Sequence, residues 1–133
     1  DGSMLANHIS IRYSSYHTTG YTYDAEREVY LRDMDGYAHV DKETNEQYYT
    51  KNIIIQKMSN HSIDNYGRQD IDDVASGDGY FITNGYAVPI RWKKSGRSSK
   101  TKYTYLDGST VMLNDGNTYV QIQPTDETLE ITE

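Results

Sequence analysis

Short runs of alternating hydrophobic and polar residues dominate the chain, and most of them end at a Gly, Asn or Asp. From His8 to Ser14 the alternation turns Ile9 and Ile11 to one side, the period-two pattern of a half-buried strand. Phe81, Val88, Ile90 and Trp92 form a second stripe on either side of Asn84-Gly85. Asn52 to Met58 differs. Its Ile53-Ile54-Ile55 run is apolar without alternation, which predicts a strand covered on both faces. Four two-residue signals, Asp35-Gly36, Asn84-Gly85, Asp107-Gly108 and Asp115-Gly116, punctuate these runs. Such pairs favour the type I′ turn, whose positive φ at both central residues matches strand twist. The predicted fold class is therefore mainly β: antiparallel, hairpin- and meander-rich sheets in a small barrel or sandwich-like arrangement, with little helix. Only Asp41 to Tyr49, with Thr44 as a cap, reads as one or two helical turns.

Counting outward from each turn predicts strand partners. Around Asn84-Gly85, Thr83 opposes Tyr86 and Phe81 opposes Val88. Pro89 cannot donate to a ladder, which predicts a bulge or an open edge there. Asp107-Gly108 and Asp115-Gly116 together predict a three-stranded meander over residues 101–124. Its core face would carry Val111, Leu113, Val120 and Ile122, and its other face Tyr103, Tyr105, Met112 and Tyr119. At Asp35-Gly36, Arg32 pairs with His39, Leu31 with Val40 and Tyr30 with Asp41. Tyr30, Arg32, His39 and Asp41 then share one face, with opposed Cβ atoms about 5 Å apart and diagonal ones about 7–8 Å apart. An arginine offers planar, bidentate recognition of a carboxylate or phosphate, and histidine is the side chain that titrates near neutrality. An anion- or sugar-binding patch, an acid/base pair, and an ion pair that merely braces the hairpin all fit these residues.

Composition narrows the classes. A length of 133 residues fits one domain, placed here at 8–124. Residues 1–7 are expected to be disordered or foreign to the domain, and 125–133 to form a loosely attached acidic tail. Only 35% of residues are hydrophobic, whereas 14 are tyrosines; tyrosine suits a sheet that is half dry and half wet. The formal charge of −7 argues against nucleic acid as a partner, because that affinity comes largely from phosphate neutralisation. Without cysteine, disulfides and thiolate metal sites are excluded.

No other motif carries chemistry with conviction. Asp70-Ile71-Asp72-Asp73 lacks the loop glycine and closing glutamate of a calcium loop, and no cofactor or metal is predicted. Ser76-Gly77-Asp78-Gly79 precedes a strand rather than a helix, so it resembles a phosphate loop only superficially. Lys93, Lys94, Arg97, Lys100 and Lys102 read as a solvated connection or as a contact to anionic polymer or lipid headgroups. Asn60-His61-Ser62 matches a glycosylation sequon. No serine sits in a nucleophile-elbow pattern.

The order of several residues resembles a known family. Tyr23-Asp24, Tyr30, Arg32, Gly36, His39, Asp41 and Asn52 come first. Gly77, Gly79, Trp92, Lys94, Asp107-Gly108 and Asn114-Asp115-Gly116-Asn117-Thr118-Tyr119-Val120 follow. Over roughly residues 8–124 this looks like the C-terminal domain of YerB-type bacterial lipoproteins. The resemblance implies an extracytoplasmic domain of a cell-envelope protein, held at the membrane only through a lipid anchor outside this chain and preceded by a separate domain. It carries Tyr30, Arg32, His39, Asp41 and Asn52 forward as candidate ligand-binding residues. The function expected on this basis is non-enzymatic binding of a partner protein or cell-wall polymer, with the preceding domain as a further partner. The alternative is an accessory domain of a wall-acting hydrolase or transferase, with His39 and Asp41 as acid and base.

Overall fold

The computed structural model describes residues 2–59, 75–95 and 100–133. These build twelve strands: β1 (Met4–Leu5), β2 (His8–Arg12), β3 (Thr18–Asp24), β4 (Val29–Met34), β5 (Tyr37–Ala38), β6 (Tyr49–Thr50), β7 (Asn52–Met58), β8 (Ala75–Thr83), β9 (Tyr86–Lys94), β10 (Lys102–Tyr105), β11 (Thr118–Pro124) and β12 (Leu129–Thr132). One sheet has the order β1-β9-β8-β7-β11, with β10 also on β9. The other runs β12-β2-β3-β4-β5, with β6 also on β4. The two sheets face each other in a sandwich-like arrangement, and neither closes into a barrel. The mainly β expectation holds.

The turn code is accurate where a hairpin is local. Asp35 and Gly36 have φ of 54° and 87°, and Asn84 and Gly85 have 51° and 85°, as type I′ turns require. Thr83 pairs with Tyr86 and Phe81 with Val88 as counted. Pro89 falls between the stretches of β9 that pair with β1 and β10, so the ladder it cannot serve is interrupted there.

The predicted meander over 101–124 does not form. The first turn is one residue longer than counted, because Tyr105 N–H donates to Ser109 O and Thr104 pairs with Thr110. At Asp115-Gly116 there is no hairpin. Instead β11 inserts parallel to β7, with Thr118 against Asn52 and Val120 against Ile54. This overturns the predicted core face: Leu113 and Val120 are exposed, whereas Gln123, on the opposite face of β11 from Val120, is fully buried. Gln123 belongs inside because its amide donates to Arg12 O and Thr128 O and its oxygen accepts from Lys57. A buried polar group is tolerated when its hydrogen bonds are met.

The main core lies between the sheets and gathers Ile9, Ile11, Tyr21, Tyr30, Ile53, Ile55 and Ile82. A second cluster of Ile54, Phe81 and Ile90 sits on the outer face of the first sheet, under Tyr103, Tyr105 and Val111. β7 is thus covered on both faces, as its apolar run requires. Gly77 allows close packing beside that outer cluster. A Cβ there would lie 2.8 Å from Trp92 Nε1 and 2.9 Å from Lys57 O, two atoms that hydrogen-bond each other.

Both ends of the chain are more ordered than expected. Ala6 is fully buried beside β1, and β12 pairs along β2 with Leu129 and Ile131 packed on the core. Residues 41–49 form a turn at 42–44, a Val40–Gln47 bridge and the start of β6 rather than helix. The Thr44 hydroxyl accepts from Glu46 N–H, closing a local turn. The 60–62 sequon, the acids at 70–73 and Arg97 lie outside the described residues.

Candidate functional site

The five residues singled out in the sequence separate into braces and a cluster. Tyr30 is a brace. It is fully buried, its hydroxyl donates to Ala6 O at 2.9 Å, and it accepts from Gly85 N–H at 2.9 Å. One phenol thus ties the second sheet to the β8–β9 turn. Asn52 is another brace, also fully buried. Its amide nitrogen donates to Asn114 O and to the Thr118 hydroxyl, and its oxygen accepts from Asn114 N–H. Asn117 completes the knot by donating to Tyr49 O and accepting from Lys51 N–H. These bonds dock the Asn114–Asn117 loop on residues 49–52, which is why Asp115-Gly116 does not turn back on itself. Asp41 closes its own turn by accepting from Glu43 N–H at 2.8 Å. Among the described residues, no hydrogen bond or ion pair joins Asp41 to Arg32 or His39. The predicted Tyr30–Asp41 pairing gives way to Tyr30 against Thr50.

Arg32 and His39 do come together, and a third residue joins them. The Arg32–His39 pairing is present: His39 N–H donates to Arg32 O at 3.1 Å. On the other side of β4, Arg32 is the cross-strand partner of Tyr21. Tyr21, Arg32 and His39 therefore form one row across three adjacent segments of the sheet. The row also holds every buried side-chain nitrogen or oxygen without a hydrogen-bond partner among the described residues: Tyr21 Oη, Arg32 Nε and His39 Nδ1. Buried polar groups are nearly always paired, so three orphans on one rung call for an explanation.

The surroundings of Arg32 are aromatic. Its guanidinium carbon lies 6.0 Å from the Tyr21 ring centroid and 5.4 Å from that of Tyr119 on β11, within range of cation–π attraction. The two rings stand edge-on, 6.5 Å apart. Tyr13 closes another side, its hydroxyl donating to Gln121 Oε1. His39 packs against Tyr48 with ring centroids 4.5 Å apart and planes tilted by 55°. Burial pushes the Tyr13 hydroxyl up to about 12, with the Arg32 charge pulling the other way. Burial raises Tyr21 further, again opposed by Arg32, while Tyr13 and Tyr119 add to the rise. Tyr13 and Tyr21 are therefore neutral donors at physiological pH.

What is missing is a counter-ion. The chain carries 20 acids against 13 bases, yet among the described residues no carboxylate pairs with Arg32. Ion pairs among the described residues include Arg12–Glu127, His17–Asp35 and Lys51–Glu28, at 3.5–3.6 Å. Enclosing an unpaired guanidinium is costly, and tyrosine faces offset only part of that cost. The arrangement can accept an anion without moving a protein carboxylate aside.

Sequence reasoning missed Tyr13, Tyr21 and Tyr119. The β3–β4 connection has no Gly-containing turn pair; Asp24 Oδ1 caps the backbone N–H groups of Glu26 and Arg27 instead. Tyr119 reaches Arg32 only through the parallel insertion of β11. Elsewhere, Lys93 and Lys102 face each other across β9 and β10 beside a groove of about 460 Å³ that Arg91 also lines. Their side chains are exposed and solvated. No group of three His, Asp or Glu side chains able to hold a metal gathers among the described residues.

Fold and row together define a two-sheet β domain with a half-enclosed arginine on its inner wall, unpaired among the described residues. The chain belongs to the family described as "Protein of unknown function (DUF3048) C-terminal domain", which residues 9–120 match. A relative from Bacillus subtilis (strain 168), named "Putative lipoprotein YerB", is 35% identical over 105 residues, covering 78% of this chain and 30% of its own length. The crystal structure of the YerB protein from Bacillus subtilis matches all of this chain with a TM-score of 0.77 at 26% identity. The chain spans 44% of that solved chain, so the relatives are considerably longer proteins.

Proposed function

We propose that this chain is a non-enzymatic, extracytoplasmic domain of a membrane-anchored cell-envelope lipoprotein, and that it binds a partner protein or cell-wall polymer. The name of the Bacillus relative supports the location. One observation carries the binding role: Arg32 sits half enclosed among tyrosines and, among the described residues, its buried Nε has no partner and no carboxylate pairs with it. A structural arginine at such a position is ordinarily neutralised. The hydrolase alternative needs His39 and Asp41 to act together. His39 instead packs against Tyr48, and the Asp41 carboxylate accepts from the Glu43 backbone N–H.

Titration of the domain with soluble peptidoglycan fragments and with teichoic acid, followed by amide chemical shifts, tests this reading. The expected result is a set of shifts centred on Tyr13, Tyr21, Arg32 and Tyr119. A spectrum unmoved by either material, alone or with the full-length protein's other domain present, overturns it.

A further inference from the structure

We infer that the Tyr21–Arg32 pair is a carboxylate-reading site, and that the ligand it takes is a peptide presenting a free carboxylate. This rests on the binding role proposed above and adds the chemical class of the ligand.

Charge sets the first limit. The site offers one formal positive charge, lined by the rings of Tyr21 and Tyr119, with the Tyr13 hydroxyl near enough to feel that charge. A monoanion balances it. A dianion such as a phosphate monoester would leave net negative charge against aromatic walls, where charge is poorly solvated. Shape sets the second. The guanidinium lies 6.0 Å and 5.4 Å from two rings whose centroids are themselves 6.5 Å apart. A planar carboxylate can enter edge-on and lie in the plane of the Arg32 fork. A phosphodiester has substituents out of that plane in every orientation.

The donors set the third limit. Nε is enclosed and unpartnered, while Arg32 as a whole is only half buried, so a carboxylate that meets the terminal nitrogens from outside supplies the acceptor at Nε once the tyrosine wall parts around it. Tyr21 is 1% exposed, and its hydroxyl is likewise unpartnered. That hydroxyl lies near enough to Arg32 to feel its charge. Burial holds it protonated, so it can donate to the same carboxylate. One ligand group thereby satisfies two of the three orphaned atoms. His39 Nδ1 is the third orphan, on the same rung.

The free carboxylate can come from a chain terminus or from an Asp or Glu side chain, and the test separates them. Three acetylated tripeptides of matched sequence serve as probes: one with a free C-terminal carboxylate, one amidated and neutral, and one amidated but carrying a glutamate. A short glycerophosphodiester is the fourth probe. The carboxylate peptides are expected to shift the amides of Tyr21, Arg32 and Tyr119 with Kd on the order of 1 mM, and the neutral peptide to leave them unmoved. Arg32→Lys keeps the charge but loses the fork, and should weaken binding about tenfold. Tyr21→Phe should weaken it about fivefold while leaving the fold intact by urea denaturation.

Equal responses to the carboxylate and neutral peptides, or unchanged affinity in both variants, would overturn the assignment. Binding of the phosphodiester alone would overturn the ligand class and leave the wider binding role standing. Wall fragments that bind while no peptide does would have the same effect. Silence toward every probe and every wall material would remove both.

Discussion

Two fully enclosed tyrosines on the inner face of one sheet make a controlled test of what a buried hydroxyl is worth. Tyr30 Oη holds two backbone groups, Ala6 C=O and Gly85 N–H, each at 2.9 Å and in a buried setting. Tyr30→Phe leaves both without their phenol partner. An orphaned buried polar group costs about 1–3 kcal/mol. The Ala6 N–H bond to Gly85 O uses neither orphaned atom, and about 1.5 kcal/mol for each of the two gives an expected loss of about 3 kcal/mol. For a domain of this size that corresponds to a fall in Tm of about 10 °C. Tyr21→Phe deletes the same atom from a hydroxyl with no partner. It should change stability by less than about 0.5 kcal/mol or raise it, because a desolvated orphan is removed. Urea denaturation followed by far-ultraviolet circular dichroism measures both, with the m-value expected to hold across the series. A Tyr30→Phe loss below about 0.5 kcal/mol, or equal losses for the two variants, would refute the distinction between brace and orphan.

Three further outcomes follow from the same geometry. Asn52→Ala should cost about 3 kcal/mol by freeing the groups that Asn52 binds in the Asn114–Thr118 loop; hydrogen exchange should accelerate at amides 114–118. Gly77→Ala should cost about 2 kcal/mol, since its Cβ would press on Trp92 and on a backbone carbonyl. Trp92 is the sole tryptophan, so its fluorescence reports loss of the bond to Lys57 O. At high pH the domain should unfold as its tyrosines are forced to ionise. Tyr13, Tyr21 and Tyr30 have folded pKa values raised by burial above the ordinary 10. A raised folded value contributes stability that is fully present below pH 10 and lost as pH rises toward the folded value, about 12 for Tyr13. A tyrosine absorbance titration should show a late fraction that ionises together with the loss of circular dichroism; independent, non-cooperative ionisation would count against it.

What the sequence made legible follows the range of each interaction. Asp35-Gly36 and Asn84-Gly85 encode hairpins within a few residues, and the pairings around them, including Arg32 with His39, can be read by counting. Asp115-Gly116 carries the same two-letter signal but is overruled by Asn52 and Asn117, whose partners lie more than 60 residues away. The inversion of β11, with Val120 outside and Gln123 inside, has the same cause. Parallel pairing has no turn of its own, so nothing local announces it. The candidate site was half visible for this reason. Arg32 and His39 are joined by a coded turn, whereas Tyr21 enters through an uncoded connection and Tyr119 through a long-range one.

The parallel seam between β7 and β11 has a kinetic side. Thr118 meets Asn52 across a separation of 66 residues, while the hairpin of β8 and β9 closes over two. Pairings that must first close a long loop form late. Refolding should therefore proceed from a quickly formed hairpin half to a slow closure at the seam. Tyr119 is on the late strand, so the aromatic wall beside Arg32 is completed in the last step. An incompletely folded chain would show native-like hairpins and still lack the site, which makes the arginine row a reporter of finished folding as well as a place to bind.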